Sequence, residues 1–254
     1  MRLLTHLRDG LVALAYPASC RVCGATIDRY DDGVACGDCW SDARITPLFG
    51  APVCDKCGLP LAARMAGGRA FECGLCGALP FNAARACGAY AGALEASILF
   101  LKSSPHLCRR LRRLIAHTFA EHREALAADV VIPVPLHRRR RRERGFNQAE
   151  LIARVVAREA RLPLRSHLLV RARPTERHRA GLDDRDRARS VAKAFRVTHP
   201  DFVTDTSILL VDDLFTTGST LTTVARALLD AGARRIGVLT VARVADPATA
   251  GRDR

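Results

Sequence analysis

Short, β-prone apolar runs alternate along this chain with stretches whose apolar residues recur every three or four positions. Val130-Val131-Ile132 and Ile208-Leu209-Leu210-Val211 read as buried strands, because continuous apolar runs leave no polar face. Each is followed by helical spacing. Behind the first come Phe146, Leu151, Ile152, Val155 and Val156 on one face, with Gln148, Arg154 and Arg158 opposite. Behind the second come Leu221, Val224, Ala225, Leu228 and Leu229, closed by Gly232. Upstream, Leu94, Ile98 and Leu101 suit one short helix. Leu107, Leu111, Leu114, Ile115 and Thr118 suit another, with Arg109, Arg110, Arg112 and Arg113 on a solvated outer face. Strand–loop–helix units of this kind predict an α/β fold with a doubly wound, mainly parallel sheet. Their loops gather at one edge, at the carboxyl ends of the strands.

The most informative loop is Asp212-Asp213-Leu214-Phe215-Thr216-Thr217-Gly218-Ser219-Thr220. It joins the carboxyl end of a strand to the amino end of a helix, where free N–H groups and positive dipole favour a phosphate. Gly218 permits close backbone approach, and the hydroxyls of Thr216, Thr217, Ser219 and Thr220 add donors. The two carboxylates repel phosphate and suit sugar hydroxyls or a magnesium shell instead. A phosphate cradle beside a hydroxyl-binding acid pair describes a ribose 5-phosphate site. The run resembles the PRPP-binding motif of the type I phosphoribosyltransferases. An ordinary acidic N-cap would need one Asp, not two followed by this turn.

Eight of the ten cysteines fall into four CxxC pairs. Cys20, Cys23, Cys36 and Cys39 make one group, and Cys54, Cys57, Cys73 and Cys76 a second. Eight thiolates suffice for two tetrahedral four-cysteine zinc sites, paired in sequence or interleaved, since spacing allows either. A disulfide framework would need an oxidising compartment. Met1 to Tyr16 resembles a signal peptide only loosely, because Asp9 and Gly10 interrupt it; a short amphipathic helix is the expectation there, and a cytoplasmic location with it. No apolar run approaches the roughly 20 residues of a membrane span. Cys87 and Cys108 read as ordinary small residues.

Charge is unevenly spread. The chain carries 40 Lys or Arg against 26 Asp or Glu, a net +14. Residues 100–200 alone hold 25 basic and 10 acidic residues, whereas the cysteine-rich segment from Cys20 to Cys76 holds 6 and 7. The peak is His137-Arg138-Arg139-Arg140-Arg141-Arg142-Glu143-Arg144, with a second band from Arg171 to Arg189. The peak follows the first strand, so its cationic loop shares an edge with Asp212 and Asp213. His137, Arg138 and Arg139 are candidates for a pyrophosphate, and Lys102, just past an apolar run, is a further candidate. The same charge would attract single-stranded DNA, in competition with PRPP. Few aromatics accompany it for base stacking.

The segment PVPLHRRRRRERGFNQ from Pro133 to Gln148 resembles the hallmark of the ComF family. So do Arg173-Pro174-Thr175, Arg185, Arg189, Ser190, Val191, Ala194 and Phe195. The resemblance covers nearly the whole chain. It implies an N-terminal helix and double zinc ribbon over residues 1–80, and a phosphoribosyltransferase-like domain over 81–254. It further implies PRPP and Mg2+ as ligands, residues 136–142 as pyrophosphate loop, about 172–192 as a closing catalytic loop, and a role in DNA uptake during transformation. Asp212 and Asp213 would hold the ribose hydroxyls. Arg177-His178 stand where family members often carry Gln. Three activities compete: transfer to an unnamed acceptor, PRPP sensing or DNA handling without turnover, and zinc-ribbon docking to uptake proteins.

Overall fold

The computed structural model describes residues 18–42, 53–60, 73, 76–172 and 194–244. Met1 to Tyr16, Arg177-His178 and, beyond Ala172, the expected closing loop over about 172–192 lie outside the described residues. The strands are β1 (Ala83–Ala86), β2 (Val130–Pro133), β3 (Leu169–Arg171), β4 (Phe195–Val197), β5 (Ser207–Phe215) and β6 (Arg235–Arg243). The helices are α1 (Gly37–Ser41), α2 (Gly92–Leu101), α3 (Arg109–Glu121), α4 (Arg138–Arg144), α5 (Gln148–Ala160) and α6 (Ser219–Asp230).

Four strands form a parallel sheet in the order β1-β6-β5-β2, and β3 pairs with β4 in a separate antiparallel ribbon. Side chains alternate across β5. Leu209 and Val211 face the layer that contains α2, α3 and α5, packing in one core with Leu94, Ile98, Ile115, Ile152 and Val156. Ile208 and Leu210 face α6 and its Val224 and Leu228. Helices on both sheet faces make this a doubly wound α/β fold, and they explain why the strand is apolar on both sides.

Three local expectations change in the structure. The strand does not stop at Val211, because β6 continues to offer hydrogen-bonding partners. Asp212 pairs in register with Thr240, Leu214 with Ala242 and Phe215 with Arg243. The acid pair is therefore held by sheet, not by loop. The arginine run is helix rather than loop. Arginine is a good helix former, His137 Nδ1 accepts from Arg139 N at the start, and Arg139 pairs with Glu143 one turn on, at 2.8 Å. Gly145, at φ +78°, ends it in the left-handed conformation. Finally, Gln148 lies on the buried side of α5 rather than opposite it, and Phe146 precedes the helix.

Both cysteine-rich knuckles pack on the α/β domain. Cys20, Ile27 and Trp40 join the core of α2 and α3, and the Trp40 indole donates to the Asp32 carbonyl at 2.9 Å. Arg109 and Arg110 are not simply solvated, since they reach Asp31 at 3.0 Å and Asp32 at 3.4 Å. Cys108 caps α3, its sulfur accepting from Leu111 N. The knuckle at Cys54–Cys57 sits flush on β1. Three consecutive carbonyls face the sheet: Asp55 accepts from Arg85 at 2.8 Å, Lys56 from Ala84 N at 2.7 Å, and Cys57 from Arg243. Gly58 is needed there, for a Cβ would lie 2.5 Å from the Ala84 carbonyl oxygen, and φ is +69°. Among the described residues, no helix is long and apolar enough to cross a membrane.

Candidate functional site

The structure resolves the cysteine pairing as sequential. Cys20, Cys23, Cys36 and Cys39 converge in one cluster and Cys54, Cys57, Cys73 and Cys76 in the other, with the sulfurs of each within 4.8 Å of one another. Sulfur–sulfur separations are 3.7 Å for Cys20–Cys39 and Cys23–Cys36, 3.6 Å for Cys54–Cys76 and 3.5 Å for Cys57–Cys73. A tetrahedron with zinc–sulfur bonds of about 2.3 Å has edges of about 3.8 Å, so the donor sets fit zinc. Knuckle N–H groups point at the sulfurs, as Cys36 N and Cys73 N do. Burial disfavours the Cys54 thiolate, but N–H donors from Cys57 and Cys73 outweigh it and draw its pKa down to about 7.

The second site lies at the carboxyl edge of the sheet. A cleft of about 460 Å³ brings together Asp212 and Asp213 from β5, Thr220 from α6, Lys102 from just beyond α2, Arg140 and Arg144 from α4, Asn147 and Gln148 from the start of α5, and Arg171 from β3. Each is placed by its element. Arg140 and Arg144 are one helical turn apart and so share the face of α4 that looks into the cleft. Asn147 caps α5 through Ala149 N and anchors the segment by donating to the Val134 carbonyl at 3.0 Å. Gln148, first residue of α5, donates to Asp213 Oδ2 at 3.1 Å while its own carbonyl oxygen accepts from Arg144 at 2.9 Å. Asp213 N donates to Asp212 Oδ1 at 2.9 Å.

Electrostatics in the cleft are unresolved by protein groups alone. Burial and the neighbouring charge of Asp213 push the Asp212 pKa well above the usual carboxylate range, and Arg171 only partly opposes this. Burial and the like charge of Arg140 lower the Arg171 pKa, with Asp212 acting in the other direction. Acid and base thus face each other across the cleft, with each sign crowded on its own side.

The turn after β5 places Thr216, Thr217 and Ser219 at the surface and Gly218 at the N-cap of α6 with φ +77°. Thr217 Oγ1 accepts from Ser219 N at 3.4 Å. A Cβ on Gly218 would lie 2.5 Å from the Phe215 ring. Of the residues picked from sequence, Asp212, Asp213, Thr220 and Lys102 meet in the cleft. His137 caps α4, Arg139 is engaged with Glu143, and Arg138 lines an adjoining groove with Arg141 and His167 that shares Asn147 and Arg171 with the cleft. The sequence reading overlooked Gln148 and Arg171 as cleft residues. The signal for Gln148 was its place directly behind an N-capping Asn, at the sheet edge where ligands collect.

Comparison with known proteins agrees with this architecture. Residues 11–77 match the double zinc ribbon domain and residues 151–254 the phosphoribosyl transferase domain. Fold and site thus define a phosphoribosyltransferase-type α/β domain carrying two zinc ribbons. The DNA utilization protein YhgH of Escherichia coli O157:H7 is 30% identical over 237 residues, 91% of this chain and 99% of that protein. Competence protein F of Haemophilus influenzae is 35% identical over 117 residues, 45% of this chain and 50% of that protein. Competence protein ComFC of Bacillus subtilis is 34% identical over 103 residues, 41% and 39% of the two chains. The chain belongs to the ComF family.

Two outcomes are expected. Metal analysis of the purified protein should give two zinc ions per chain, and Cys20→Ser should lose one of them together with the fold of its knuckle, since metal binding supplies the folding energy of so small a unit. A count of one or none in reduced protein would refute the assignment. Secondly, Asp212 carries a raised pKa in the fold, so the native state binds more protons than the unfolded one. Its contribution therefore falls as pH rises from the ordinary carboxylate range through the raised value. Asp212→Asn should raise the melting temperature of the ligand-free protein at neutral pH, and the gain should vanish near pH 4. Thermal melts across pH check this; a lowered neutral-pH melting point would contradict it.

Proposed function

We propose that the acid cleft binds PRPP with Mg2+, and that the protein uses this ligand in handling incoming DNA. The observation that carries the reading is the close pairing of Asp212 and Asp213 opposite Arg140, Arg144 and Arg171, with Thr220 at the head of α6 beside them. The carboxylates suit the ribose hydroxyls and the shell of a divalent cation, whose charge would relieve the repulsion at Asp212. Arg140 and Arg144 suit the pyrophosphate, and residues 216–220 the 5-phosphate. Gln148 orients Asp213 and ties it to Arg144, so the acidic and basic walls keep register. In a transfer reaction the same arginines and the cation would stabilise the departing pyrophosphate. The DNA role rests on the names of the relatives, one a DNA utilization protein and others competence proteins.

A DNA-handling role is favoured by a separate observation. Arg138, Arg141 and Arg142 line a hollow beside Gly145, and Arg138 and Arg141 also line a groove with His167 that adjoins the acid cleft through Pro135, Leu136, Asn147 and Arg171. His167 stacks edge-on to His199 at 6.0 Å, and His199 to Phe202 at 6.3 Å. Phe202 is 63% exposed. The arginine helix thus has an inner face for pyrophosphate and an outer face for a polyanion. Under this division PRPP and single-stranded DNA bind together, whereas shared arginines would make them compete.

Two experiments separate the parts. PRPP with Mg2+ should raise the melting temperature by mass action, and Asp212→Asn with Asp213→Asn should remove the shift while leaving two zinc ions in place. An undiminished shift in the double variant would refute the site. Binding of labelled single-stranded DNA should weaken with salt at a slope of about −0.7 per phosphate neutralised, and Arg138→Gln, Arg141→Gln and Arg142→Gln together should flatten that slope. The triple variant should keep its PRPP shift. Loss of both properties at once would mean that one arginine surface serves both ligands.

A further inference from the structure

One buried side chain links the second cysteine cluster to the turn proposed for phosphate. Arg243 is the last residue of β6, 6% exposed, and pairs in register with Phe215, the last residue of β5. Its Nη1 donates to the carbonyl of Cys57, a member of the cluster. Its guanidinium lies over the Phe215 ring, 4.2 Å from the centroid. The Cε2 edge of that ring fills the space at Gly218, where a Cβ would come within 2.5 Å. Phe81 meets the same ring edge-on at 5.9 Å, leaving it clasped. The chain of contacts runs from Cys57 through Arg243 and Phe215 to Gly218, without entering the acid cleft.

A guanidinium at this depth is costly unless its charge is answered. No carboxylate answers it among the hydrogen bonds and ion pairs described, and its Nε has no partner. Two things stand opposite it: the negative face of an aromatic ring and the knuckle of a four-thiolate cluster. Zinc with four thiolates carries two net negative charges, and the metal is also what holds the Cys57 carbonyl in place. The cation can fasten the knuckle, or it can also relay the state of the cluster to whatever the ring touches. Arg85 provides a comparison. It too is buried and donates to the same knuckle, at the Asp55 carbonyl, but it sits on β1 and no ring contact links it to Phe215.

We propose that Arg243 is a positioning residue that couples metal occupancy of the Cys54, Cys57, Cys73 and Cys76 cluster to the conformation of the turn at residues 216–220. With the metal bound, the Cys57 carbonyl holds the guanidinium on Phe215, and Phe215 holds Gly218 in its left-handed conformation. When the metal leaves, the knuckle opens, the guanidinium loses its acceptor, and the ring no longer braces the turn. Binding free energies couple reciprocally, so an anion held at the turn tightens the metal in return. The functional importance of this coupling rests on the reading of the turn as the 5-phosphate cradle. The coupling itself is a property of the ligand-free protein and is measured there.

The test compares the wild type with Arg243→Met, Arg243→Lys, Phe215→Leu and Arg85→Met in the full chain. Zinc content, amide hydrogen exchange over residues 216–222 and the PRPP–Mg2+ melting shift are read for each. Arg243→Met should keep two zinc ions yet exchange about ten-fold faster over 216–222, as a turn released from tertiary bracing does. Phe215→Leu should behave likewise, and Arg243→Lys should lie between, keeping the charge without the planar stack. Arg85→Met should leave the turn protected. Chelating the metal from wild-type protein should speed exchange over the same residues. Should Arg243→Met fail to fold, the lysine and Phe215 variants carry the comparison. Equal exchange in wild type, Arg243→Lys and Phe215→Leu overturns the proposal. So does an Arg85→Met turn as loose as that of Arg243→Met, because both arginines would then merely fasten the knuckle. A wild type that shows the exchange pattern but no PRPP shift keeps the coupling and removes the phosphate reading.

Discussion

Two adjacent carboxylates at the end of an apolar central strand repel each other, and the sheet gives them no room to part. Asp212 stays in ladder register with Thr240 because β6 still supplies partners there. Burial first, and the neighbouring Asp213 charge second, raise the pKa of Asp212. The rest of the cleft is arranged around that tension. Arg171 faces Asp212, Gln148 fixes Asp213, and Arg144 is tied to Gln148 in turn. A site that holds unbalanced charge before its ligand arrives gives up stability for later binding, as functional sites commonly do.

The zinc ribbons relate to this site differently from beads on a string. So small a cysteine-rich segment cannot build a sufficient core alone, so metal supplies its folding energy. Yet each knuckle also lends its surface to the larger domain. The first shares a core with α2 and α3 through Trp40 and Ile27, and its acids meet Arg109 and Arg110. The second lays three consecutive carbonyls on the sheet. Its N–H groups turn inward to sulfur, so its carbonyls are free to turn outward. That division of backbone polarity makes a cysteine knuckle a ready docking surface for buried arginines, and through Arg243 and Phe215 it connects the second cluster to the turn at Gly218.

Much of this was readable from the chain before any coordinates. Apolar runs too continuous for one exposed face required a sheet covered on both sides, and β5 is covered on both sides. Four CxxC pairs fixed the number of donors. Asp212, Asp213 and the turn to Thr220 followed from local rules, because strand end, acid pair, small hydroxyls and helix start are consecutive in sequence. What local rules missed was long-range or a matter of a few degrees of helical phase. The arginine run reads as one cationic block. Only its folding into α4 sends Arg140 and Arg144 inward while Arg138, Arg141 and Arg142 turn out. Gln148 was assigned to the polar face because periodicity treats a polar residue as exposed, whereas a half-buried carboxylate 65 positions away supplies its partner.

Cysteine spacing allowed sequential or interleaved pairing, since both satisfy tetrahedral ligation; the folded knuckles choose the sequential one. Arg109 and Arg110 looked like a solvated face until the first knuckle supplied acids opposite them. Arg243 lies at the end of an apolar strand, where nothing in its neighbours marks it as more than a terminating charge. Its meaning comes from Cys57, 186 residues earlier in the chain, and from the ring of Phe215. The sequence by itself determined the two apolar strands with the helices behind them, the metal donors and the acid pair, because these depend on residues close together along the chain. Tertiary structure decided which arginines share a wall, where Gln148 and Arg171 stand, and how the second cysteine cluster contacts the turn after β5, because those depend on packing between distant segments.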